Sequence, residues 1–446
     1  MRELSQSAKF TEYLKTVCGE VRWQRSHNTI SRELLGHLED QKSACMAEGM
    51  NESEAEQKAI LEMGDPVAVG SELNSAYRPK TDWNLLLITV VFLIVGICSR
   101  LMMTGIESNF SLVDTMIGLA GGVLALILSY YMDFSMIGRY AVQIYAAFMV
   151  ILIVMLLFSP HINGQSAYAS YLMILFPLIF AGLVYLAHGK GILGIALCGF
   201  AAVVALALGM RIPSTSGVFI AGVSVLIILT YAISKGWFGK NKVAGLLVVY
   251  IPFAVLAIIV LTRIHALHRF AVIFNPGIDP NGAGYVGVAT RKILGTAQLI
   301  GNSASTRDNL PLPNSNSQYL LTLMIQQVGW IALAAILLIF TLFILHGVRV
   351  CKKQESWIGK LLCISILTSF GLQCLCFVLN NLGLSAFNEF PLPLITGKIS
   401  MILNFFLIGC LMSVFRNGCL AVDRIDSNAK SGRFQYVDGK LIISLK

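Results

Sequence analysis

Two kinds of hydrophobic pattern divide the chain near residue 80. Upstream, Leu34, Leu35, Leu38, Ala55, Ala59, Ile60 and Met63 recur at helical spacing between Ser31 and Leu73. Residues 1–79 are therefore expected to fold as a compact helical domain. Asn51 is placed to cap a helix that opens Glu52-Ser53-Glu54, with Glu54 able to reach back as in a capping box, and Gly64 before Asp65-Pro66 ends it. Downstream, apolar runs long enough to cross a hydrocarbon core of about 30 Å follow one another, separated by short polar breaks. They predict about ten spans, over residues 84–103, 112–131, 137–158, 168–187, 191–209, 215–234, 243–262, 319–346, 357–381 and 393–415. The fold class expected is an all-α polytopic membrane protein. In the tail, residues 416–446, Asp438-Gly439 sits between two alternating runs in RFQYVDGKLIISLK and suggests a short β-hairpin.

Composition agrees with burial in lipid: of 446 residues, 56% are hydrophobic and 13% charged. Mean hydropathy is +0.72. The polar first 80 residues lack the basic-apolar-small order of a secretory leader, so no cleaved signal is expected. The formal charge of +9 is better explained by topology than by nucleic acid, because no basic helix or aromatic stripe accompanies it. Lys235, Lys240 and Lys242 share one short loop, and Arg349, Lys352 and Lys353 another; Arg139, Lys190 and Arg416 fall on the same side. The opposite short loops carry Glu107 and Glu389. The bias of basic residues toward the cytoplasm predicts a multi-pass protein of the plasma membrane with both termini cytoplasmic. Trp83, Trp237 and Trp357 lie at expected span ends, where an amphipathic ring favours the interface.

Cysteine usage does not read as a disulfide framework: Cys98, Cys198, Cys363, Cys374, Cys376 and Cys410 fall inside apolar spans, with Cys18 and Cys45 in the N-terminal domain. Cys374 and Cys376 are read as helix packing. His265 and His268 share a helical spacing but lack a third ligand nearby, so no metal site is expected. His188 and His346 lie at span ends facing the cytoplasm. Gly118, Gly121 and Gly122, inside an apolar span, suit close helix packing.

Residues 263–318 form the one long external segment, a length that commonly carries function. It is rich in Gly, Pro and Asn at first, and an amphipathic helix is predicted over Val286 to Ile300. Ordered motifs in and around it resemble the SEDS family of shape, elongation, division and sporulation proteins, which includes FtsW, RodA and SpoVE. Arg269 to Pro276 (RFAVIFNP), Asp279-Pro280, Gly282-Ala283-Gly284-Tyr285, Met132-Asp133-Phe134 and Phe390 to Thr396 (FPLPLIT) follow that family's order across residues 84–415. The stretch from His37 to Leu73 is similar to the small cytoplasmic HAAS-type helical module of Gram-positive membrane proteins.

The SEDS resemblance implies a role in peptidoglycan assembly during division, elongation or sporulation, with lipid-linked disaccharide-pentapeptide as ligand and a class B transpeptidase as partner. It implies no resident cofactor and leaves a divalent cation open. The family's general base is an Asp at the outer start of span eight; alignment on Gly329 puts Gln318 there, and Gln326-Gln327 where an acidic pair is expected. An amide cannot accept a proton at neutral pH. Asp308, ten residues earlier, is the candidate substitute base. Arg269, Arg291 and Lys292 are candidate ligands for a pyrophosphate, with Tyr285 and Asp279 as further binding candidates, although Asp279 equally suits a turn before Pro280. Other departures are Ile212-Pro213-Ser214-Thr215, Gly397-Lys398-Ile399 and Gln165-Ser166-Ala167-Tyr168, each where a different family motif is expected. Two alternatives stay open beside precursor binding: a non-catalytic regulator or scaffold of wall synthesis, and a flippase for the same lipid. Spans nearly free of charge disfavour proton-coupled transport.

Overall fold

The computed structural model describes residues 8–24, 27–76, 82–104, 112–158, 161–162, 165–166, 169–211, 215–239, 241–261, 264–303, 312, 318–354, 356–384, 393–394, 397–417, 434–437 and 440–443. The chain divides into two compact units, residues 1–81 with 416–446, and residues 82–415.

In the first unit, helices α1 (Ala8–Glu20), α2 (His27–Ala47), α3 (Glu52–Met63) and α4 (Pro66–Ala76) close around their own apolar core, in which Val17, Leu38 and Ala59 are fully buried. Asn51 caps α3 by accepting the Glu54 N–H at 2.9 Å, and Gly64 ends it at φ 86°, a left-handed value that glycine adopts at little cost. Lys42 on α2 reaches Glu52 at 2.6 Å and Glu56 at 2.8 Å on α3. Those bonds hold its ammonium above the ordinary lysine range. Tyr13 donates to the Gly64 carbonyl at 3.2 Å, and burial together with the Asp65 carboxylate pushes its phenol upward. Further along, Phe434–Val437 pairs antiparallel with Lys440–Ile443 in the register Phe434 to Ile443.

The second unit runs through α5 (Trp83–Thr104), α6 (Leu112–Tyr131), α7 (Ser135–Arg139), α8 (Ala141–Phe158), α9 (Ala169–Leu172), α10 (Phe176–Leu186), α11 (Gly191–Gly209), α12 (Thr215–Ser234), α13 (Lys242–Leu261), α14 (Ile264–Phe274), α15 (Tyr285–Gly295), α16 (Leu320–Val328), α17 (Ile331–Lys353), α18 (Trp357–Asn381) and α19 (Lys398–Asn417). Six of these, α8, α11, α12, α17, α18 and α19, are long and apolar enough to cross a membrane; shorter apolar stretches lie in α5, α6, α10 and α13. Lipid is the natural solvent for the outer faces, where Phe158 is 80% and Phe200 71% exposed.

Helix α18 is the axis of the unit, packing against α10, α12, α16 and α17. Phe92 of α5 meets Phe340 of α17 at 4.7 Å, and Phe343 meets Phe370 of α18 at 5.2 Å, so a run of edge-on rings crosses three helices. On α6, the Gly118, Gly121 and Gly122 positions lie directly against Lys398, Ile402 and Phe405 of α19, where a Cβ would meet atoms at 2.6 to 3.1 Å. Small residues there let the two helices approach, as expected. Asp82, the first residue of this unit, does two things. Its Oδ1 accepts the N–H groups of Asn84 and Leu85, each at 3.1 Å, and its Oδ2 lies 2.8 Å from Nε2 of His346 on α17.

Three expected spans prove to be interrupted, the first of them, over 137–158, at Tyr140 between α7 and α8. The run over 168–187 is split into α9 and α10 by a turn, and α10 restarts with Pro177 in its first turn, where a proline's missing N–H costs nothing. The run over 319–346 breaks at Gly329, whose φ of 103° ends α16 before α17 begins. The expected loop helix 286–300 is α15, which stops at Gly295, and the loop's start is itself helical as α14. Hydropathy sees these segments as continuous because apolar residues fill the breaks.

Candidate functional site

Gln318 lies where α15, the start of α16 and the end of α18 converge, and its residue is buried. The convergence is held by Asn381. Its Nδ2 donates to the Gln318 carbonyl at 2.8 Å and the Phe377 carbonyl at 3.0 Å, while its Oδ1 accepts from the Thr322 N–H at 2.9 Å. The Thr322 hydroxyl lies 3.0 Å from both the backbone carbonyl and Oδ1 of Asn381. Next to it, Asn380 Nδ2 reaches the Tyr319 hydroxyl at 3.5 Å. Tyr319 packs with Ala289 of α15 and with Leu312, so both are tied into the same cluster.

Gln318, Tyr319, Thr322, Asn380 and Asn381 supply amides and hydroxyls, with no carboxylate. Two atoms keep spare capacity: Oδ1 of Asn380 and Oγ1 of Thr290 are buried without a hydrogen-bond partner among the described residues. Buried polar atoms in that condition cost free energy until something satisfies them. The groups chiefly bond one another and the backbone, and they are of the kind that pairs with hydroxyls and amides. None of these five side chains is itself a general base at neutral pH.

A strap pairs with the far end of α16. Residues 298–303 run beside 326–331 through Gly301 N–H to Val328 O at 2.9 Å, Ser303 N–H to Gln326 O at 3.0 Å and Trp330 N–H to Gln298 O at 3.1 Å. At Gly329 a Cβ would come within 2.5 Å of the Leu299 carbonyl, which requires glycine there. Gln326 thus serves the strap through its backbone.

The other sequence candidates fall into separate roles. Asp279 accepts the Ala283 N–H at 2.9 Å and its backbone carbonyl accepts from Gly284 at 2.9 Å, so it builds the turn into α15. Arg291 donates to the Phe274 carbonyl at 3.2 Å from both terminal nitrogens, closing the C-terminus of α14, and packs on Gly383. Lys292 is exposed on α15, and Tyr285 opens that helix half-buried. Arg269 lies on α14, with its side chain outside the described residues, as is Asp308 altogether. Among the described residues no group of three or more His, Cys, Asp or Glu gathers as metal ligands would.

Sequence reasoning missed Asn380, Asn381 and Thr322, although two adjacent asparagines in an apolar helix are a visible signal. It also missed Gln373 of α18, which accepts from Asn404 of α19 at 3.1 Å. In the Phe390 to Thr396 motif, Leu394 is buried at φ 68°, a strained value for a branched side chain, costing about 1–3 kcal/mol.

The model of the cell cycle proteins FtsW, RodA and SpoVE matches residues 80–418. The chain belongs to that family. Among curated relatives, a probable peptidoglycan glycosyltransferase FtsW of Geobacter metallireducens is 26% identical over 175 residues, 39% of this chain and 46% of the relative. Stage V sporulation protein E of Bacillus subtilis is 23% identical over 161 residues, 35% of this chain and 44% of the relative. The peptidoglycan glycosyltransferase RodA of Mycobacterium tuberculosis is 23% identical over 172 residues, 38% of this chain and 34% of the relative. The chain therefore spans less than half the length of these relatives. Among solved structures, a chain from a study of how a peptidoglycan synthase complex coordinates polymerization and crosslinking superposes with a TM-score of 0.59 at 17% identity, covering 76% of this chain and 98% of that one. The rod shape determining protein RodA of Thermus thermophilus gives 0.51 at 16% identity, covering 76% and 97%. The FtsW/RodA/SpoVE fold is thus present over the membrane unit.

Proposed function

We propose that this chain is a ten-span cell-wall assembly protein that binds the lipid-linked disaccharide-pentapeptide at the Gln318 cluster and does not polymerise it there. The observation that carries the reading is the composition of that cluster: amides and hydroxyls converge at the family's base position, and no carboxylate is among them. Such groups can hold sugar hydroxyls and peptide amides in a desolvated site. They leave the acceptor hydroxyl with nothing to take its proton.

In this reading the protein spans the plasma membrane, and the lysine-bearing turns and both termini face the cytoplasm. The N-terminal unit acts as a HAAS-like module that recruits a cytoplasmic partner, and the membrane unit holds a class B transpeptidase. Arg269, Lys292 and Tyr285 are the residues offered to the diphosphate and sugar, and a divalent cation would travel with the diphosphate. The divergence at 318 and 326–327 favours a binding or scaffolding member over a polymerase.

The test is glycan polymerisation by the purified protein given the lipid-linked precursor, for the wild type, Gln318→Asp and Asp308→Ala. The expected outcome is no product from the wild type, with precursor still bound, and product from Gln318→Asp. Wild-type product that disappears with Asp308→Ala would identify an active polymerase with a relocated base and overturn the reading.

A further inference from the structure

Where α17 turns back into α18, two cysteines meet across the turn. Cys351 lies in the last turn of α17 and Cys363 in the second turn of α18. Both are free thiols, Cys351 half-buried and Cys363 fully buried. The two thiols share a hydrogen bond. Cys351 Sγ also lies 3.9 Å from the Lys360 carbonyl, one turn before Cys363, so its side chain is directed at α18. By contrast, Cys374 and Cys376 sit two apart on α18, a spacing that does not bring side chains together, and Cys198 and Cys410 lie on separate helices.

Small residues hold the two helices close at this level. A Cβ on Gly347 of α17 would meet Leu367 of α18 at 2.5 Å, and one on Gly359 of α18 would meet Gln354 of the turn at 2.6 Å. From hydrogen-bond contact, the two sulfurs need travel only about 1–2 Å to reach a disulfide length of about 2 Å. The surroundings are of the kind in which thiols react. Cys351 is partly exposed, Lys352 and Lys353 follow it, and Lys360 on α18 is near enough to act on it electrostatically. Cys363, shielded from solvent, is placed to answer a change at Cys351 and not to begin one.

From this contact we infer that Cys351 and Cys363 form a redox modification site, a dithiol that a hydroperoxide converts to an intramolecular disulfide between α17 and α18. The Cys351 sulfur attacks one oxygen of the peroxide; an S–O bond forms as the O–O bond breaks, and the other oxygen leaves as water or an alcohol with the Cys351 thiol proton. The Cys363 sulfur then attacks the Cys351 sulfur; the S–S bond forms, the S–O bond breaks, and the hydroxyl leaves as water with the Cys363 proton. Two thiols are oxidised to one disulfide and one peroxide is reduced. The product ties the last turn of α17 to the second turn of α18. The site is independent of precursor binding and of which side of the membrane the turn faces.

The experiment treats the full chain, purified in detergent and fully reduced, with hydrogen peroxide, and maps the product by mass spectrometry without reductant. The expected result is a monomer in which the peptides holding Cys351 and Cys363 are joined with the loss of two hydrogen atoms, a link that dithiothreitol reverses. In Cys363→Ser, Cys351 should stop at the sulfenic acid and be labelled by dimedone. In Cys351→Ser, the same peroxide should leave Cys363 as the thiol. Wild-type Cys351 carried on to the sulfinic acid without a link, both cysteines left as thiols, a link from either cysteine to a different thiol, or a disulfide-bonded dimer overturns the site. Dimedone labelling of Cys363 in Cys351→Ser overturns the assignment of Cys351 as the first thiol to react. The link is read in the wild-type protein, so the site stands or falls on it even where a serine variant folds poorly.

Discussion

Asn381 makes one side chain serve two helices, since its amide bonds the Gln318 carbonyl and the Thr322 N–H at once. Replacing it with leucine would keep its bulk and orphan both groups in a buried setting. Each orphaned group costs about 1–3 kcal/mol, so Asn381→Leu should lower stability by about 2–6 kcal/mol. The measurement is the thermal unfolding midpoint of the purified protein in detergent, and an unchanged midpoint would mean that the bonds contribute nothing net. Thr322→Val combined with Asn381→Leu should cost less than the sum of the two single changes, because the residues are coupled through the same bonds. At this scale the sequence was partly legible. Gln318 could be placed by its spacing to Gly329, and the turn-forming role of Asp279 was one of its two readings. The helix-capping role of Arg291 was not legible, because the carbonyls it closes belong to α14, a helix hidden in a stretch that looked like irregular loop.

At the scale of elements, the break between α16 and α17 depends on Gly329. An alanine there would be held at a left-handed φ with its Cβ in the Leu299 carbonyl. Gly329→Ala should cost about 1–3 kcal/mol from the backbone alone. It should release the strap, seen as faster amide exchange at residues 298–303 while α18 stays protected; unchanged exchange in the strap would show that the pairing does not depend on the glycine. Long uniform helices such as α11, α12 and α18 agree with their hydropathy runs because nothing in those runs stops a helix. The interrupted ones escape the pattern because hydropathy averages over the apolar residues that line a turn, and proline in a first turn or one glycine is too local a signal to register.

At the scale of the whole chain, the two units answer to different solvents, and alkali should separate them. Tyr13 and Lys42 both have folded-state titrations raised above their ordinary values, so their contributions are complete below about pH 10 and vanish as pH rises through the raised values. Helicity of residues 8–76, followed by amide exchange between neutral pH and pH 11, should therefore fall first above about pH 10. Tyr13→Phe with Lys42→Met should flatten that dependence; the same alkaline loss in the double variant would assign it to other groups. Asp82 adds a mechanical consequence. Because one carboxylate both starts α5 and grips His346, the chain enters the bundle through a clamped end. Tension or torque arriving along the backbone at that residue is shared at once between the first membrane helix and α17, so the two helices would move as one lever at this end of the bundle.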